Sequence, residues 1–204
     1  MRIWIAAALL VAACGSTPKE TFYTLSPSPG PLPPGSPSSV SVYVGPVSVP
    51  DTVDRTPMVL RTGPTQVEVD DLHRWAEPLK TGIARALAEM LMRALGTPRV
   101  LAGRQSSVSA VDFRVAVDVQ RFDSSLTEGA TLDAAWTVTP AQGPPRSGRT
   151  FAREPLPSRD HAGIAAAHAR ALERLAADLS GAMKKPIVSR FSKVFNRTPS
   201  RCSA

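Results

Sequence analysis

Few side chains in this sequence of 204 residues are suited to catalysis or metal binding, and their spacing limits what each can do. The histidines are His73, His161 and His168. None stands in an HExxH or CxxC setting, so the sequence indicates no zinc site. His161 and His168 are seven residues apart, which on one helix places them roughly on one face. His168 also falls in an apolar stripe, where the expectation is a packed, hydrogen-bonded core residue rather than a ligand. Asp70-Asp71 resembles the paired carboxylates of general acid–base chemistry, but neighbours in an extended segment point to opposite faces. That pair is expected to mark a helix start or a surface. The GxSxG, P-loop and GxGxxG patterns are missing from the sequence. No catalytic residues are assigned, the expectation is a non-enzyme, and neither a metal nor a dissociable cofactor is expected.

The two cysteines, Cys14 and Cys202, point to a different chemistry. Arg2 is followed by an uncharged apolar run from Ile3 to Ala13, and the small residues Ala12 and Ala13 precede Cys14. This is the layout of a secretory signal over residues 1–13, too short to span a bilayer. Val11-Ala12-Ala13-Cys14 is similar to the bacterial lipobox, which implies lipidation of Cys14 as the new first residue. An ordinary signal peptide or a buried N-terminal helix is the competing reading. Each buried CH₂ adds about 0.8 kcal/mol, so several acyl chains hold a protein at the membrane almost irreversibly. Gly15 after the cysteine, rather than Asp, favours the outer membrane. Cys202 is then left as a free terminal thiol or an intermolecular bridge.

Charge reinforces this division of the chain. The formal net charge is +7, yet Arg2 and the basic residues Lys184, Lys185, Arg190, Lys193, Arg197 and Arg201 account for all of it. The body is neutral, which removes the argument for nucleic acid. In the tail, residues 184–204, Ile187, Val188, Phe191, Val194 and Phe195 keep helical spacing among the basic residues. Lys184, Lys185, Arg190, Phe191 and Lys193 are thus candidate contacts to an anionic membrane surface. A solvated, frayed terminus is the alternative.

The elements that must position these residues follow from periodicity. At 43% hydrophobic residues the chain can build a core, and no apolar run approaches the roughly 20 residues of a spanning helix. Residues 14–21 read as a lipidated tether and Phe22-Tyr23-Thr24-Leu25 as a short first or edge strand. Residues 26–39 contain only Pro, Ser, Gly and Leu32, an extended loop. Val40, Val42 and Val44 alternate with polar or small residues, and Pro46 then predicts a kink or bulge. Segments 57–61 and 66–70 flank Thr62-Gly63-Pro64-Thr65 as a hairpin. Pro78 opens a helix carrying Leu79, Ile83, Leu87, Met90, Leu91 and Ala94, with Gly96 and Pro98 as stop signals. Two long alternating strands follow, through Val111–Gln120 and Leu132–Thr139, then a shorter one near 149–154. A last helix, capped by Ser158 or Asp160, carries Ile164, His168, Leu172, Leu175, Leu179 and Met183 on one face. The predicted fold class is α+β: an antiparallel sheet with two amphipathic helices packed on one face.

With these residues laid out, the chain resembles the ABC-type transport auxiliary lipoproteins, a family of PqiC/YmbA-like lipoproteins of Gram-negative bacteria. The resemblance rests on the lipobox at Cys14, on Phe22-Tyr23-Thr24-Leu25 and on Val44-Gly45-Pro46-Val47-Ser48-Val49-Pro50. Val53-Asp54-Arg55 and Val59-Leu60-Arg61 add to it, and the most specific block runs from Glu68 through His73-Arg74-Trp75-Ala76-Glu77-Pro78 to Leu79. It spans about residues 14–183, with the domain itself at 22–183. The proline-rich segment and the basic tail depart from it. The resemblance implies an outer-membrane lipoprotein, lipid-anchored and facing the periplasm, in an MCE-type, paraquat-inducible-type system that moves lipids between membranes and supports membrane integrity. The implied role is a non-catalytic docking or accessory subunit that meets an MCE-domain periplasmic conduit protein and its inner-membrane component, together with outer-membrane lipids. A homo-oligomer is implied, and nucleic acid is not. A lipid-binding carrier lipoprotein is the alternative. Trp75 is expected as a core anchor or an interface residue, and Arg74 as a partner of Asp70 or Asp71 or of another protein. Arg74 and Trp75 are therefore the candidate partner or oligomer contacts.

Overall fold

In strand segments where every second residue is apolar, one face must be covered, and two helices supply the cover. A computed structural model describes residues 18–25, 38–103 and 110–184. The strands are β1 (Thr21–Tyr23), β2 (Val42–Ser48), β3 (Pro57–Arg61), β4 (Val67–Trp75), β5 (Val100–Ala102), β6 (Phe113–Ser125), β7 (Gly129–Pro140) and β8 (Arg146–Glu154). Helix α1 (Leu79–Leu95) falls between β4 and β5, and α2 (His161–Lys184) ends the described chain. No helix among the described residues is long and apolar enough to cross a membrane.

The eight strands form one sheet in the order β1-β4-β3-β6-β2-β5, with β7 paired to β6 and β8 to β7. One edge of β6 runs antiparallel to β7 along its length. Its other edge is shared, by β2 through Val42↔Phe113 to Ser48↔Asp118 and by β3 at Leu60↔Ser124. Here the sequence expectation is corrected: the sheet is mixed, not antiparallel. β1–β4, β2–β5, β2–β6 and β3–β6 are parallel, whereas β3–β4, β6–β7 and β7–β8 are antiparallel. Period-two alternation reports which face of a strand is buried and is silent about the direction of its neighbour. Parallel pairing also needs a long crossover, and the stretch from β2 to β5, which contains β3, β4 and α1, is one.

Local chemistry sets the element ends. The β2 register slips between Val44 and Val47, at the Gly45-Pro46 step where the kink was expected. Gly96 closes α1 in the left-handed region at φ 63°, a conformation costly for a residue with a Cβ, and its N–H donates to Met92 O. Leu79, Ile83, Leu87 and Leu91 of α1 are almost fully buried, as are Ile164, Leu172, Leu175 and Leu179 of α2. Each such side chain contributes about 1.5–3 kcal/mol of burial. All of these except Ile164 join Val42, Val44, Val115, Val117, Leu132 and Val138 of the sheet in a single core. The opposite sheet face carries paired charge. Arg149 donates to Asp133 at 2.7 Å and holds that carboxyl below its usual range, and Arg61 donates to Asp123 at 3.0 Å.

Candidate functional site

The residues with chemistry separate into two groups, one inside the core and one at its margin. Both depend on α2 and on the β4 end that precedes α1.

The inner group surrounds His168. The ring is fully buried on α2 and stacks on Phe122 of β6 at 3.7 Å between centroids and 6° between planes. Its Nε2 shares a 2.9 Å hydrogen bond with the Ser124 hydroxyl. Burial pushes His168 down to about 3, so the imidazole is neutral at any physiological pH. Trp75 meets both rings edge-on, at 6.1 Å from Phe122 and 6.2 Å from His168. The core reading of His168 agrees with this placement. Trp75 is only 5% exposed, which places it as the core anchor, the first of its two expected roles.

The outer group consists of Asp70, His73 and His161, with Tyr23 beside them. Residues three apart on a regular strand face opposite ways. In β4 they do not, because the pairing jumps from Met58↔Asp70 to Pro57↔Arg74 and leaves residues 71–73 as a bulge. Asp70 Oδ1 holds that bulge by accepting the backbone N–H of Leu72 at 3.0 Å and of His73 at 3.1 Å. The turn swings His73 back, so that its Nδ1 lies 2.9 Å from Asp70 Oδ2. The partner across the gap is His161, the first residue of α2. Asp160 caps this helix by accepting the Gly163 N–H at 2.6 Å. A Cβ on Gly163 would lie 1.9 Å from Ser158 O, so only glycine allows the turn that delivers His161.

His161 stacks on His73 at 3.5 Å and 1°, and its Nε2 is 2.9 Å from the same Asp70 Oδ2. This nitrogen is sealed from solvent and makes no hydrogen bond, because the oxygen lies outside its donating direction. Tyr23 flanks the stack, 6.0 Å from His73 and 6.3 Å from His161. Burial raises the Asp70 carboxyl, but the His73 ring and the two backbone N–H groups outweigh it and hold the acid below its usual range. Burial and the neighbouring His73 push His161 down despite Asp70 and Asp160. The sequence reading treated Asp70 as a helix-start or surface residue and found no metal setting. The three side chains instead place one ligand atom each within 4.8 Å of one another.

The other candidate residues have less to share. Arg74 donates to Glu20 at 3.0 Å, while the Asp70 carboxylate is turned toward the histidines. Lys184 donates to Ala94 O at 3.1 Å, closing the C-terminal turn of α1, so part of its donor capacity is used within the fold. Cys14, Lys185, Arg190, Phe191, Lys193 and Cys202 lie outside the described residues. Two features of the surface were not anticipated. Val67, Val69 and Leu72 of β4 are 48%, 40% and 41% exposed, with Phe22 of β1 at 57%. Between Tyr23, Leu25, Trp75 and Leu79 there is also a small cleft, with room for about one water molecule.

Comparison with known proteins gives the arrangement a family. The sequence matches the ABC-type transport auxiliary lipoprotein component family over residues 23–180, most of the chain. A search of curated proteins finds no match. Among solved structures, a protein of uncharacterised function superposes with a TM-score of 0.61 at 18% identity, over 81% of this chain and 99% of that one. Protein XCC0632 from Xanthomonas campestris superposes at 0.58 and 21% identity, over 80% and 94%. These likenesses speak to the fold. A PelC dodecamer from Paraburkholderia phytofirmans reaches only 0.36 at 12% identity, over 70% of this chain and 94% of that one, too distant to bear on this chain. With the match running from Tyr23 of β1 to Ser180 near the end of α2, the chain belongs to the family of ABC-type transport auxiliary lipoprotein components.

Proposed function

We propose that this protein is an outer-membrane lipoprotein, anchored through Cys14 and facing the periplasm, that docks an MCE-domain conduit of an intermembrane lipid-transport system. The observation that carries the docking role is the edge of β4. Beyond its pairing with β1 at residues 73–75, β4 from Val67 to Leu72 has no strand on its outer side among the described residues. An exposed edge with apolar side chains accepts an added strand, whose main-chain hydrogen bonds give affinity and whose side chains give specificity. Val67, Val69, Leu72 and Phe22 supply the apolar contacts, and Arg74 flanks them. Family membership supports the auxiliary role in transport and the lipid anchor.

The lipid-carrier alternative has less support. Pockets that enclose a ligand measure about 300–1,000 Å³, whereas the cleft beside Trp75 has room for about one water molecule. Side chains at or near zero exposure fill the space between helices and sheet. The decisive experiment is co-purification of the conduit with a Val69→Lys variant of the membrane-extracted lipoprotein. The expected result is loss of the complex with an unchanged melting temperature. An intact complex in Val69→Lys and in Leu72→Lys removes the docking edge, and stoichiometric lipid extracted with the pure protein restores the carrier. Arg74→Glu is expected to weaken the same complex, and native mass reports whether the chain self-associates. For the anchor, Cys14→Ala is expected to leave the membrane fraction.

A further inference from the structure

We infer that Asp70, His73 and His161 form a binding site for one divalent transition-metal ion, with Zn²⁺ as the type ion. Two imidazoles and one carboxylate are a donor set that zinc accepts, and imidazole donors also suit nickel and copper. The three donor atoms already lie within 4.8 Å of one another, with Asp70 Oδ2 at 2.9 Å from His73 Nδ1 and from His161 Nε2. Tetrahedral ligands at 2.0–2.1 Å from zinc stand about 3.3 Å apart, so Asp70 Oδ2 need recede from each nitrogen by only a few tenths of an ångström.

Three further features belong to a metal site rather than to a simple ion pair. His161 Nε2 is sealed from solvent with a carboxylate oxygen beside it and no hydrogen bond made, a lone donor atom that coordination would satisfy. Asp70 is held through its other oxygen by two backbone N–H groups, the outer support that fixes a ligating carboxylate and leaves Oδ2 for the ion. The side chains of Asp70, His73 and His161 keep 23%, 30% and 15% of their surface, which puts the cluster at the rim of the fold rather than inside it. The parallel stack is the metal-free arrangement, since two lone pairs in parallel planes 3.5 Å apart do not converge. Binding tilts the His161 ring, at the first position of α2, away from His73. The ion then ties the β4 bulge to the start of α2, beside β1, the strand nearest the lipidated N-terminus. Its fourth position is left to water.

The test uses the untagged full-length lipoprotein in detergent, in a Cys202→Ser background, stripped with chelator and titrated with Zn²⁺ and with Co²⁺. The expected result is one ion per chain with a dissociation constant in the micromolar range or below. A tetrahedral Co²⁺ absorption band and a melting temperature raised by several degrees should accompany it. His161→Gln, His73→Gln and Asp70→Asn should each weaken binding at least about 100-fold with unchanged circular dichroism, and Asp71→Asn should not. Failure to retain an ion at micromolar zinc overturns the site, as does binding of equal strength in wild type and all three ligand variants.

Discussion

Two stacked histidines seven residues apart on α2 show how burial decides what one side chain can do. His168 lies flat on Phe122 at 3.7 Å, and His161 lies flat on His73 at 3.5 Å. Both are near a hydroxyl or carboxylate oxygen at 2.9 Å. Yet His168 is enclosed by Trp75, Phe122 and Ser124 and stays neutral, whereas His161 sits at the rim with a carboxylate and a second imidazole. The inner ring joins sheet to helix as packing. Each ring keeps one nitrogen without a hydrogen bond, His168 Nδ1 and His161 Nε2, but the His161 nitrogen has a carboxylate oxygen beside it. Stacking geometry alone does not distinguish a structural histidine from a ligand, but the exposure of the side chain and the donor groups gathered around it do.

Acid gives the largest expected separation between them. His168 is neutral in the folded state down to about pH 3, while in the unfolded chain it titrates near 6.5. Above pH 6.5 both states are neutral and its contribution is complete. As pH falls below 6.5 the unfolded chain takes up a proton that the folded chain refuses, so stability drops by about 1.4 kcal/mol per pH unit until the folded value is reached. Urea titrations at several pH values should show this slope in wild type and a shallower one in His168→Leu. Equal slopes in the two proteins would mean that His168 is solvated, and the contrast with His161 would fail.

Truncation at neutral pH separates the two next. His168→Ala removes a fully buried ring stacked on Phe122 and leaves the Ser124 hydroxyl without its partner. The expected cost is about 3–4 kcal/mol, or on the order of 10 °C in melting temperature for a chain this size. His161→Ala in metal-free protein loses one stacked contact at a partly exposed rim, a cost of about 1 kcal/mol or less. A smaller probe is Ser124→Ala. It strands His168 Nε2 when Nδ1 already lacks a partner among the described residues, and should cost about 1–2 kcal/mol by thermal melt.

The sequence allowed the inner histidine to be anticipated and not the outer cluster, for physical reasons. His168 shares a 3.6-residue stripe with Ile164, Leu172 and Leu175, so periodicity alone places it inside. The Gly45-Pro46 irregularity, the Gly96 stop and the Asp160 cap are equally local. Asp70 and His73 are a poor match for a site in any regular strand, because their spacing puts them on opposite faces. Only the bulge at 71–73 brings them together, and the Asp70-Asp71 pair that could signal a turn fits a helix start or a surface equally well. His161 comes from a distant helix end, which one sequence cannot pair with β4. The mixed sheet was missed on similar grounds, since strand direction depends on crossovers rather than on alternation. Arg74 is a further case: it pairs with Glu20, a residue that sequence proximity to Asp70 and Asp71 does not suggest.

The smallest stability effect is the sharpest test of the contrast. Asn at position 70 has the shape of Asp and keeps an oxygen to accept the Leu72 and His73 N–H groups, so the bulge in β4 survives Asp70→Asn. What disappears is negative charge next to two imidazoles at a partly exposed site, where an ion pair is worth about 0–1 kcal/mol. Metal-free Asp70→Asn should therefore melt close to wild type, within about 0.5 kcal/mol. Wild type in zinc at a hundred times its dissociation constant should gain about 2.7 kcal/mol, and the variant should gain almost none. If Asp70→Asn instead costs as much as Ser124→Ala without metal, the outer cluster is bearing structural load as the inner one does. The two histidines would then differ in position but not in kind.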